Sequence, residues 1–425
     1  MEKPAIKAFL WVSLFLLILA GCSGSDDTPV MGTNPDPDRD PDANVTEPTG
    51  FTPCMDGMAG NFPCSGYDLV ARLDLDDLGA GSGNDIWGWA DPADGTEYAL
   101  VGLDNGTAFV SLENPENPVY LGKLPTQTVS SAWRDIKVYR NHAYIVSEAG
   151  GHGMQVFDLT ALRGVTSPPV TFSPTFEYTA FGNAHNLVIE ENTGYAYAVG
   201  TGPVLPYQGG PHFIDLGNPA LPVDAGGYSG AGYTHDAQVV LYQGPDADYS
   251  GREILVGANE TRVVILDVTD KDQPVEVAGI GYPNLGYPHQ GWFSEDQRYF
   301  ILGDEVDELN FGFNSRTIVF DFQDLDNPVI SFTYSGPTTA IDHNGYVLGD
   351  RFFLANYTAG VRIVDISGLD AQQMTEVGSF DTYPGSDSPA FSGAWSVYPY
   401  LPSGLVLIGD IDRGLFVIQA SETTP

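Results

Sequence analysis

GTAFVSL (residues 106–112), GMQVFDL (153–159), PHFIDL (211–216), RVVILDV (262–268), RTIVFDF (316–322), VRIVDI (361–366) and GLFVIQ (414–419) are seven versions of one short run. Each is β-branched or aromatic, has strand length and is bounded by turn residues, and no long helical periodicity separates them. Working outward, each run is preceded by two apolar strands, the first opening near Trp87, Trp133, His185, His235, His289, His343 or Trp395. A fourth strand follows in most units, as in NPVYLGKL (117–124), QPVEVAGI (273–280) and NPVISFTY (327–334). There Pro stands at the strand start, where no ladder bond is lost. Four short strands per unit, repeated at steps of about 50 residues, predict an all-β, seven-bladed propeller.

The chain ends test this reading. The seventh unit stops after its third strand, whereas YDLVARLDL (67–75) precedes the first unit and has a fourth-strand pattern. Placing 67–75 at the edge of the last blade closes the ring and leaves no open edge between first and last blades. The predicted propeller spans 67–420.

The 425 residues carry 17 Lys plus Arg against 56 Asp plus Glu, a net charge of -39. That balance excludes nucleic acid and anionic lipid head groups as partners and leaves cations and basic surfaces. Residues 1–21 have the layout of a lipoprotein signal peptide: Lys3 and Lys7, an apolar run too short to span a bilayer, then Leu19-Ala20-Gly21-Cys22. Cys22 is the expected lipidation site and membrane anchor, at the outer membrane or cell surface of a bacterial envelope. Residues 22–50 are acidic and rich in Pro and Asp without an aromatic residue, the composition of an extended tether. Cys54 and Cys64 lie in a Gly/Pro-rich junction, 51–66, entering an oxidising compartment; a short-loop disulfide is expected.

DIWGWADPADGTEYALVG, SSAWRDIKVY, NAHNLVIEENTGYAYAVGT, THDAQVVLYQG, PHQGWFSEDQRYFILGDE and GAWSVYPYLPSGLVLIGDIDRGLFVI resemble the choice-of-anchor B family, and the third strands resemble LVIVD-type repeats. The resemblance covers about residues 51–420. It implies a bacterial surface propeller with a membrane anchor and assigns no activity.

In a propeller the first strand of each blade lines the central channel, and its start shares a mouth with the loops between second and third strands. The recurring residues are therefore expected to converge: Trp133, His185, His235, His289, His343 and Trp395, with Glu260, Asp304, Glu305, Asp410 and Asp412 from the loops. Two readings follow for the His set. Repeat symmetry predicts that each ties its blade to the next through a carbonyl or carboxylate. The alternative is a divalent cation, zinc on imidazole or calcium on carboxylate, with His235, His289, Glu260 and Asp304 as candidate ligands. No Gly-x-Ser-x-Gly elbow, phosphate-binding Gly-rich loop or basic aromatic groove occurs, so no catalytic residue is assigned. The expected function is a monomeric, non-enzymatic module that binds a protein or glycan at the mouth. A metal-dependent lactonase or esterase in the channel is the alternative.

Overall fold

The computed structural model describes residues 47–202 and 206–422. Cys22, the signal peptide and most of the acidic tether lie outside the described residues. Seven sheets follow one another, each built on four antiparallel strands ordered from an inner channel strand to an outer one. The inner strands are Gly83–Ala90, Arg134–Tyr139, Asn186–Glu190, Asp236–Leu241, Pro288–Phe293, Gly345–Leu348 and Ala394–Tyr398 for blades one to seven. The expected seven-bladed propeller is observed. Among the described residues no helix is long and apolar enough to cross a membrane.

The repeated Asp that ends the third strands has a local cause. Asp158, Asp215, Asp267, Asp321 and Asp365 each accept a hydrogen bond from the backbone N–H two residues on, at 2.6–3.0 Å. This side-chain turn stops the strand and sends the chain toward the Pro that opens the outer strand.

Blade seven closes as expected. Tyr67–Leu73 pairs antiparallel with Gly414–Ala420, from Tyr67 opposite Ala420 to Leu73 opposite Leu415, with a one-residue register shift at Val70. The strand stops two residues earlier than the pattern at 67–75 suggests, because Asp74 caps a single helical turn, Leu75–Leu78, that ends on left-handed Gly79.

The 51–66 junction does more than stiffen the entry. Phe62–Ser65 adds to the outer strand of blade six, with Cys64 opposite Phe380, and Met58–Ala59 folds back on it, giving six strands. The Cys54–Cys64 disulfide clasps this addition. Phe62 is fully buried, its ring 5.2 Å from that of Phe416 in blade seven, so the hairpin covers an edge and joins the last two blades. The end of the tether also touches the propeller: Glu47 pairs with Arg72 and Arg413. Blade one gains a short parallel strand, Val170–Thr171, beside Val119–Pro125. Its approach requires Gly122, where a Cβ would stand 1.9 Å from the Val170 carbonyl oxygen.

Candidate metal centre at the channel mouth

The inner strands are tied blade to blade by side chains other than the His set. Asp85 Oδ2 accepts from Ile136 N at 2.9 Å, Asp135 Oδ2 from Leu187 N at 3.0 Å, and Gln238 Oε1 from Phe293 N at 2.7 Å. Gln290 holds Gly345 through both its carbonyl oxygen and its amide, each at 3.0 Å. An Asp or Gln on one inner strand therefore captures backbone of the next, satisfying polar groups that the channel would otherwise leave buried and unpaired.

The imidazoles stand at the strand starts, above these ties. Their rings form a row across four blades: His185 to His235 centroids 4.0 Å, His235 to His289 4.6 Å, and His289 to His343 4.2 Å. The expected uniform blade-to-blade bond is not found. His185 Nδ1 meets Glu148 Oε1 at 2.6 Å, in the preceding blade. His235 Nδ1 meets the Tyr287 hydroxyl at 2.9 Å and His343 Nδ1 the Trp395 carbonyl at 2.5 Å, both in the following blade. Partners so different in kind and direction do not follow from repetition of one structural bond.

Two buried ring nitrogens have no partner among the described residues. His235 Nε2 and His289 Nδ1 are buried without a hydrogen bond, a cost that native structures seldom leave uncompensated. One ligand atom from each of His185, His235 and His289 lies within 4.8 Å of the other two, and His289, Glu305 and His343 form a second such set. Glu305 sits 3.7 Å from His289 Nε2 and 3.5 Å from His343 Nε2, and accepts from the Tyr357 hydroxyl at 2.9 Å.

Electrostatics favours the ligand form of most of the row. Burial, reinforced by neighbouring imidazoles, drives the His235 and His289 pKa values well below the usual range, and burial lowers that of His343 to about 3. These rings are neutral at physiological pH, as metal ligation requires. His185 differs: burial opposes its charge, but the Glu148 hydrogen bond and charge outweigh it and raise its pKa. Burial pushes Glu305 up to about 7. Two loops aim polar groups here from left-handed backbone, Glu260 at φ 56° and Tyr357 at φ 36°. Non-glycine residues accept such strain mainly where surrounding structure compels it.

The other expected residues divide. Trp133 and Trp395 wall the space beneath the imidazoles together with Asp135, Asn186, Asp236 and Asn344; that space is about 10 Å³, room for one water or one ion. Glu260 reaches His235 only through the Tyr287 hydroxyl, which it accepts at 2.9 Å. Asp304 does not join the His set, because its oxygens are taken by the Tyr282 hydroxyl and the backbone N–H groups of Gly286 and Tyr287. Asp410 and Asp412 likewise serve backbone of blade seven: Asp410 accepts from Asp412 N and Arg413 N in its own loop, and Asp412 from Gly393 N at the start of the inner strand. The carboxylates thus do not pool into one negative mouth. Trp87, grouped with the His positions by spacing, is paired with Leu100 in mid-strand and lines the other end of the channel. Glu148 and Tyr287 complete the mouth and Asp85, Gln238 and Gln290 the ties; the signal for the ties was a polar side chain at a channel-facing strand position.

No family model matches the chain, and no curated protein matches it. Solved structures do. Hydrazine synthase of Kuenenia stuttgartiensis aligns with a TM-score of 0.51 at 13% identity, covering 75% of this chain and 93% of that one. The Cps50 (Swd1) β-propeller domain of Myceliophteria thermophila aligns with a TM-score of 0.51 at 12% identity, covering 84% and 100%. A functionally unknown protein from Desulfotomaculum acetoxidans gives 0.50 at 12%, covering 78% and 97%. Likeness at this identity establishes the propeller fold and carries no activity across.

Proposed function

We propose that this chain is a lipid-anchored envelope propeller, of the choice-of-anchor B kind, that captures a divalent transition-metal ion at its channel mouth. His185, His235 and His289 are the ligands, and Glu305 with His343 forms the flanking set. The carrying observation is the pair of buried, unpartnered ring nitrogens, His235 Nε2 and His289 Nδ1, inside a cluster of converging imidazoles. Imidazole suits zinc, copper or nickel, whereas calcium wants hard oxygen. Zinc would be held at about 2.0–2.1 Å, so the ligand atoms, now within 4.8 Å of one another, must close around it. Ion capture is favoured over hydrolysis because the space below the imidazoles, about 10 Å³, leaves no room there for an acyl or lactone substrate beside an ion.

His289 belongs to both ligand sets, which makes it the decisive variant. Wild-type protein purified without chelator is expected to carry transition metal by elemental analysis and His289→Ala to carry none. Chelator should lower the melting temperature of wild type by the linkage between binding and folding, and leave that of His289→Ala unchanged. Equal metal content in the two proteins, or wild-type melting that ignores chelator, overturns the proposal. The anchor has its own readout: Cys22→Ser should leave the membrane fraction with its melting temperature intact, and continued membrane association counts against lipidation there.

A further inference from the structure

The opposite end of the channel holds a much larger cavity, about 590 Å³, within the range of roughly 300–1,000 Å³ typical of small-molecule sites. It lies where the inner strands end rather than begin, so it faces away from the imidazoles. Aromatic rings make its wall, and several are braced by another. Trp87 lies 4.9 Å from Tyr398, Tyr398 5.4 Å from Tyr400, and Trp292 4.9 Å edge-on to Tyr346. Tyr400 is further fixed by donating to the Val347 carbonyl at 2.9 Å. Rings held this way lose little conformational freedom on binding.

Charge selects the ligand class. In a chain of net charge -39 the lining is balanced, with Lys137 and Arg140 against Glu191 and Glu295. The Lys137 ammonium at the floor is already committed: it donates to Asp135 Oδ1 at 2.6 Å and stands 4.6 Å from the centre of the Trp87 ring. The exposed Arg140 at the rim, packed 5.0 Å over the Tyr139 ring, is outnumbered by Glu191 and Glu295, so the lining gives an anion no net attraction, and the Trp87 face best suited to an organic cation is occupied by lysine. Two polar tips remain open, since Trp87 Nε1 and the Tyr398 hydroxyl make no hydrogen bond among the described residues. We infer that this mouth binds a neutral carbohydrate, its apolar ring faces stacked on Trp292 and the tyrosines and its hydroxyls paired with those open tips and the polar rim. The inference is independent of the metal reading.

The test uses the whole protein in chelator, with cellotetraose, maltotetraose and mannotetraose as neutral probes and choline and glucose 6-phosphate as charged ones, followed by calorimetry and tryptophan fluorescence. At least one neutral oligosaccharide should bind saturably, with neither charged probe competing. Trp292→Ala should weaken binding by about tenfold or more, and His289→Ala should leave it unchanged. If Trp292→Ala fails to fold, Tyr398→Phe keeps the ring and removes only an unpaired hydroxyl, with an expected loss of about threefold to tenfold. Absence of saturable binding by all three oligosaccharides, tighter binding of either charged probe, or undiminished binding in the soluble variant overturns the inference.

Discussion

The two ends of this channel are built on the same strands, yet they are chemically opposite. Asp135 and Asp236 bound the small imidazole end, whereas Lys137 and Gln238, two positions further along the same strands, bound the aromatic end. Residues two apart on a strand share a face and stand about 6.6 Å apart, so one inward face carries two chemistries at two depths. At one end the space fits an ion; at the other it fits a molecule. What separates them is a thin polar layer, in which Lys137 bonds Asp135 at 2.6 Å and lies 3.9 Å from Asp85.

Breaking that layer should have the largest effect. Asp135→Ala removes the acceptor for Leu187 N in blade three and the closer carboxylate of a buried lysine. Stranding a buried charge costs about 3–5 kcal/mol, and chemical denaturation should show a loss of that size. Both ends should suffer together, with weakened metal retention and weakened carbohydrate binding in the surviving folded fraction. A variant that keeps wild-type stability would mean the layer does not hold the two ends apart.

Raising the pH loads the same layer more gently. Burial, together with the charge of Asp135, pushes Asp85 up to about 8, against the pull of Lys137. The unfolded chain loses this proton near pH 4 and the folded chain keeps it until near pH 8, so between those values the native state binds more protons. Stability therefore falls as pH rises through that window, by at most about 1.4 kcal/mol per pH unit for each such group. Asp85→Asn keeps an oxygen for Ile136 N and removes the ionisation; its melting temperature, measured in chelator, should depend less on pH than that of wild type. An unchanged slope would assign the dependence to other buried carboxylates such as Glu308, which burial and Asp307 also hold high.

The contrast between the ends also marks what could be read from the sequence. Blade number, third strands and closure were legible because each rests on local physics: an Asp that turns the chain, a Pro that opens a strand, and a final blade lacking its fourth strand. The His row was legible as a location but not as a bonding pattern. Glu148 and Glu305 do come from equivalent loops, each in the blade before the His it faces, but Tyr287 and the Trp395 carbonyl break that repeat. The blade ties were not legible as bonds: Asp85, Asp135 and Gln290 share one repeat position and Gln238 stands two residues beyond it, but each tie is made to backbone of the next blade, which a sequence does not show. The aromatic mouth was not legible because Trp292, Tyr398 and Tyr400 read as ordinary core in alternating strands, while spacing sets Trp87 with the imidazoles.

Trp87 supplies the finest test, since spacing groups it with the imidazoles and structure places it at the far end. Its contacts are with Tyr398, Tyr346 and the Lys137 ammonium, and none is with the His row. Trp87→Phe keeps an aromatic ring while shortening the platform and weakening the cation–π contact, a loss of about 0.5–1 kcal/mol that the Lys137–Asp135 pair limits. Denaturation should register that small cost, and oligosaccharide binding should weaken, because the open Nε1 donor goes with the indole. Metal content should match wild type. Loss of metal in Trp87→Phe would show that the polar layer couples the two ends, and the channel would then have to be treated as one site.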